Sequence, residues 1–254
     1  MNPLDSPDPL EYRVPPSQTA AMAWIYRLVV LEDYRWWKLQ DTPQEKVAVA
    51  LAKLHQQHYV LLDVRSRAYR KKNGLPVAQV VLAPTPQGGK WPMMLLATRK
   101  LKGEEMWDVN RKPPEWPAWR EKTGQWEPMY CLAKDPTGRW TWALMPEVYR
   151  LHLEEALSNA QAGHWDQVAL VLKWLGRLPS FRGVHLQRKE VLKRVKQIWG
   201  DRYLRIPGPR PRSPWEKVTE DWPTVAISPL RVKIAGPPLK EVLAQLEKSE
   251  RRET

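Results

Sequence analysis

The sequence predicts an α+β fold: a mixed or antiparallel sheet of about five or six strands with one early helix, followed by a helical region of about three to four helices. Two observations carry this expectation. Before about residue 145, short apolar runs alternate with Gly and Pro punctuation, the pattern of strands joined by turns. After Pro146, three segments place apolar residues three and four apart, the period of an amphipathic helix.

Residues 1–18 are rich in Pro, Ser and Asp and read as a disordered arm. Residues 25–30 read as a short buried strand. Thr42-Pro43-Gln44-Glu45 reads as a helix start, with a capping Thr, a Pro in the first turn and a Glu that completes a capping box. Val47, Ala50, Leu51 and Leu54 then form one stripe of a helix ending near His58. Residues 59–64 read as the next strand, and Lys71-Lys72-Asn73-Gly74 as a hairpin-type turn. Strands over 77–82 and 93–98 follow, then an irregular Pro- and Trp-containing stretch over 100–127. The clearest hairpin pairs 130–133 with 139–144 around Asp135-Pro136-Thr137-Gly138. Helices are expected over 147–160, 165–175, 184–199 and, after a Pro-rich basic strap, 239–247. The expected divisions are an arm (1–18), a β-rich α+β domain (19–145), a helical region with a basic third helix (146–203), the strap (204–238) and a short helix with a charged tail (239–254).

The net charge is +13, from 41 Lys and Arg against 28 Asp and Glu. Such an excess attracts polyanions, nucleic acid foremost. It is concentrated. Between residues 184 and 214, nine Lys and Arg stand against Glu190 and Asp201, whereas acids outnumber bases over 146–176. At about 100° per residue, Lys189, Lys193 and Lys196 share one helix face opposite Val184, Val191, Val195 and Ile198, with Arg188 and Arg194 flanking. Arg202, Arg205, Arg210 and Arg212 extend the charge into the strap. A smaller cluster, Arg65, Arg67, Arg70, Lys71 and Lys72, sits at the expected strand end and turn, where it would reach along a phosphate backbone. The chain also has 15 Trp against a single Phe. Trp140 and Trp142, two apart on an expected strand, and Trp116 and Trp119, interleaved with basic residues, are candidates for stacking on bases. Burial as sheet core is the commoner state of such large rings and is the favoured reading for Trp140 and Trp142.

Little points to catalysis. Cys131 is the one cysteine, so neither an intrachain disulfide nor a thiolate metal cluster forms. His55 and His58 make a His-x-x-His pair without a further zinc ligand at matching distance. There is no Gly-rich phosphate loop, dinucleotide fingerprint or nucleophile elbow, so no cofactor, metal or catalytic residue is assigned. No apolar run approaches the ~20 residues of a membrane span, and no signal-type stretch is visible, which points to the cytoplasm. The expected function is a non-catalytic DNA- or RNA-binding protein, gripping phosphates through the basic helix and strap. It would serve as an accessory factor of a mobile element or nucleoprotein complex, beside other proteins. Two alternatives stand. One is a metal-independent endoribonuclease combining His55, His58 or His185 with a Lys or Arg and a Tyr. The other is a protein-assembly subunit with a Trp-rich docking surface.

Overall fold

Ser17 starts the first helix of the computed structural model: its Oγ accepts from the Ala20 amide (3.1 Å) and caps α1, Gln18–Tyr26. The structure describes residues 7–84, 89–120, 123, 125–203, 213, 215–220 and 222–253. Helix α1 passes into a π-helical turn, Arg27–Leu31. The strand expected over 25–30 is therefore helical. Ala20, Ala21, Met22, Ala23 and Ile25 are all buried, so α1 is apolar on nearly every side and carries no period to separate helix from strand.

Four strands follow among the helices: β1 (Trp36–Pro43), then α2 (Val47–His58) and α3 (Val64–Lys72), then β2 (Ala78–Leu82), β3 (Lys90–Ala97) and β4 (Trp107–Asp108). They form an antiparallel sheet in the order β2-β3-β1-β4, with Met94 opposite both Leu39 and Val81. Val80, Leu82, Met93 and Leu95 on one face join Val47 and Leu51 of α2 and Leu239 and Val242 of α8 (Leu239–Glu253) in a common core. On the other face, buried Gln79 donates to the Tyr34 hydroxyl (2.7 Å), which satisfies a polar group inside the sheet. A second antiparallel sheet has the order β5-β6-β7, built from β5 (Glu115–Arg120), β6 (Gln125–Lys134) and β7 (Trp140–Leu144). After it come α4 (Pro146–Ala162), α5 (Trp165–Arg177), α6 (Arg182–Tyr203) and the short α7 (Glu216–Thr219).

This arrangement corrects the expected one. The chain is α+β, but it has two antiparallel sheets of four and three strands, and its helices are interspersed with the strands. Three local causes explain the difference. Beyond the helical 25–30, the 59–64 segment is not a strand: Tyr59 ends α2 in the left-handed conformation (φ 57°), and Asp63 caps α3 by accepting from the Ser66 amide (2.8 Å). Lys71 to Gly74 is thus a helix end. Third, β1 carries no strand pattern, because Lys38 and Gln40 on one face and Asp41 on the other break any apolar alternation. Thr42 lies in that strand, buried against Met93 Sδ (3.8 Å), and does not cap α2.

The chain divides into two units, residues up to Glu127 together with those from Pro229 on, and residues 128–228. In the first, the segment expected as part of a free arm is tied down. Tyr12 Oη donates to the Val80 carbonyl (2.5 Å), and the Val14 amide to that of Pro237 (3.0 Å). In the second, the β6–β7 hairpin sets Lys134 opposite Trp140 across a turn with Gly138 at φ 81°. Among the described residues, no helix is long and apolar enough to cross a membrane.

Asp135 organises that hairpin. Its carboxylate accepts from the Thr137 amide (2.8 Å) and hydroxyl (2.6 Å), the Arg139 amide (3.1 Å) and Arg182 Nε (2.5 Å). The Thr137 hydroxyl and then Arg182 hold its pKa well below the usual carboxylate range. A pKa depressed in the folded state means that ionisation stabilises the fold above the unfolded value of about 3.9, and that this contribution fades as pH falls below it. Asp135→Asn is therefore expected to melt lower than the parent at pH 6. The gap in Tm should narrow between about pH 4 and pH 2, read from melting curves across that range. A gap that stays constant with pH contradicts the assignment.

Candidate nucleic-acid interface

Among the described residues, helix α6 is buried along one stripe. Gly183, Val184, Arg188, Val191 and Val195 are buried, at a spacing that lines a single stripe. Gly183 lies flat on β7: its amide donates to the Thr141 hydroxyl (2.9 Å), and a Cβ there would stand 2.5 Å from the Trp142 carbonyl oxygen. Only glycine fits so close to backbone. Gln187 bridges to the same strand, accepting from the Leu144 amide (2.8 Å) and donating to its carbonyl (3.1 Å). With this side docked, Lys189, Lys193 and Lys196 face outward and are exposed. Lys196 Nζ lies 5.6 Å from the centre of the Trp215 ring, a cation–π distance. Burial, then the charges of Lys189 and Arg188, lower the pKa of His185.

The other members of the expected basic cluster are placed differently. Arg188 is buried, 1% exposed, and belongs to the apolar stripe. It donates to Ser180 Oγ and, at 3.4 Å, to the Gly176 carbonyl, with its guanidinium 5.8 Å from the Trp222 ring. Burial lowers its pKa, and the neighbouring Tyr130 opposes that shift. It is a core cation, not a phosphate contact. Arg194 is ion-paired with Glu190 (2.7 Å), an exposed pair of small stabilising value that still occupies both charges. Arg202 donates to the Gln161 carbonyl (2.9 Å) at the C-terminal end of α4, where a cation complements the helix dipole. Arg205, Arg210 and Arg212 lie outside the described residues.

The 65–72 cluster is dispersed around α3 rather than presented by a hairpin. Arg67 donates to the Leu62 carbonyl, Lys71 to that of Glu32 (2.9 Å), and Arg70 Nε to that of Pro76 (3.1 Å). Arg65 and Lys72 are exposed. Of the stacking candidates, Trp116 and Trp142 are completely buried and form core rather than platform. Trp119 packs edge-on against Trp126 (5.7 Å), and partly exposed Trp140 lies 5.4 Å from Lys134 Nζ.

The histidine pair is split by its surroundings. His55 Nδ1 accepts from the Leu61 amide (3.1 Å), and burial lowers its pKa. His58 Nε2 lies 3.2 Å from Glu104 Oε1, and Lys38 Nζ donates to the other carboxylate oxygen (2.9 Å). No group of three or more His, Cys, Asp and Glu that could hold a metal occurs among the described residues. Lys100, Lys102 and Glu104 enclose a cleft of about 570 Å³ with His58, Tyr59 and Arg70. Nothing local in the sequence places these three beside His58, because one helix and two strands intervene; the basic run Arg99, Lys100, Lys102 is the one local signal.

No protein-family model matches the chain, and no curated protein or solved structure is similar to it.

Proposed function

We propose that this chain is a non-catalytic nucleic-acid-binding protein that contacts the phosphate backbone of DNA or RNA through the outer face of α6, within a nucleoprotein complex. One observation carries the reading: Lys189, Lys193 and Lys196 are exposed on one side of a helix whose other side is docked by Gly183, Gln187 and three valines. At about 1.5 Å per residue, the seven-residue step from Lys189 to Lys196 spans roughly 10 Å, the axial length of about three phosphates on one duplex strand. The net charge of +13 supplies the long-range attraction, and lysines without planar base-reading partners imply modest sequence preference.

The test is Lys189→Glu, Lys193→Glu and Lys196→Glu together, measured by gel shift on duplex and single-stranded probes between about 50 and 200 mM salt. Affinity is expected to fall at least tenfold, and the slope of log K against log salt to shrink by about 2.7 on duplex, three contacts at ~0.9 each. Because all three side chains are exposed, Tm should stay within a few degrees of the parent. Unchanged binding removes α6 as the interface.

A further inference from the structure

Arg70 and Tyr59 stand on the wall between two neighbouring depressions of the first unit and line both. The first, about 570 Å³, is the cleft faced by His58, Lys100, Lys102 and Glu104. The second, about 480 Å³, is faced by Leu62, Tyr69 and Leu75 together with Arg65 and Ser66, and its surface is mostly apolar. Tyr69 is 68% exposed and Tyr59 47%, so folding leaves aromatic surface uncovered here.

Three stretches of chain build the charged half. The end of α2 supplies His58 and Tyr59, α3 supplies Arg70, and the loop after β3 supplies the lysines. Leu101 is buried and anchors that loop, so Lys100 and Lys102 on either side of it face outward. The loop then turns at Gly103 (φ 82°), which brings Glu104 back to His58. Arg70 is set before any ligand arrives: its Nε is held by the Pro76 carbonyl (3.1 Å) and its guanidinium lies 4.7 Å from the Tyr59 ring centre. Such preorganisation lowers the ordering penalty of binding.

The charge balance favours an anion. Glu104 is offset by Lys38 at 2.9 Å, which leaves Arg70, Lys100 and Lys102 uncompensated around the cleft. The C-terminal end of α2 opposes them with only about half an elementary charge. A cationic cleft sharing a wall with an aromatic one is complementary to a ligand that carries a phosphate beside a planar apolar ring. We infer that the two depressions together form a nucleotide-binding site, with the phosphate against Arg70, Lys100 and Lys102 and the base against Tyr69 and Leu75. The site lies in a different unit from α6 and rests on different residues, so it stands or falls separately from the backbone contact proposed above.

The experiment is calorimetric titration of the full chain with adenosine 5′-monophosphate, adenosine and inorganic phosphate. The monophosphate is expected to bind saturably with a sub-millimolar Kd, and each fragment at least tenfold more weakly. Lys100→Glu with Lys102→Glu should weaken the monophosphate at least tenfold, and Tyr69→Ala about five- to tenfold, the lower range of a lost stacking contact. Both variants should melt with the parent, since the altered side chains are exposed, and the α6 triple variant should bind the monophosphate normally. A hexa-adenylate that displaces the monophosphate identifies the ligand as a unit of a strand; one that does not identifies it as a free nucleotide, and either result upholds the site. Three results overturn it: no saturable heat with the monophosphate, inorganic phosphate binding as tightly, or the Lys100/Lys102 variant binding like the parent.

Discussion

Trp142→Ala is expected to destabilise the protein by about 3–5 kcal/mol, the range for removing a fully buried large aromatic side chain. At roughly 2–4 °C per kcal/mol for a chain of this size, Tm should fall by about 6–20 °C. The reason lies in its position. Trp142 is completely buried on β7, opposite Leu132, and its backbone forms the surface on which Gly183 of α6 rests. The cavity left by alanine would loosen the strand to which α6 is docked. Trp142→Phe keeps most of the volume and should lose markedly less. If the indole were instead a base-stacking platform, alanine would abolish nucleic-acid binding at unchanged Tm. Melting curves and a gel shift on the same preparation decide between these outcomes.

Arg188→Ala is the second large effect, with an expected loss of about 2–4 kcal/mol at an unchanged salt slope of nucleic-acid binding. Two contributions add. Alanine leaves a void in the stripe of Val184, Val191 and Val195, and it removes the donors that satisfy Ser180 Oγ and the Gly176 carbonyl. A third works the other way, since no carboxylate is paired with this buried guanidinium among the described residues, and removing an unpaired charge relieves a desolvation penalty. Arg188→Met separates them: it refills the volume and deletes the charge, and should lose less than about 1.5 kcal/mol. Arg188→Ala that weakens binding and leaves Tm intact would return Arg188 to the surface and contradict the assignment.

Part of this fold was legible in sequence because part of it is local. Asp135-Pro136-Thr137-Gly138 carries its own turn chemistry, with an aspartate that binds the next amides and a glycine for the left-handed position. The stripes of α2 and α6 repeat at helical spacing, so their inner and outer faces followed from period alone, and with them the exposure of Lys189, Lys193 and Lys196. The buried place of Arg188 is legible too, since it falls between Val184 and Val191 on the same stripe. Strand β1 was not legible, since its polar residues follow no apolar alternation and its pairing partner lies about fifty residues away.

A basic α+β chain, its strongest hairpin and the lysine face of one helix all follow from residue type and spacing over a few turns of chain. Long-range packing sets the rest: the strands form two sheets, Trp116 and Trp142 are interior, and Arg70, Lys100, Lys102 and His58 meet around one cleft. Those outcomes depend on which distant segment covers a side chain, and burial is a property of the partner as much as of the residue.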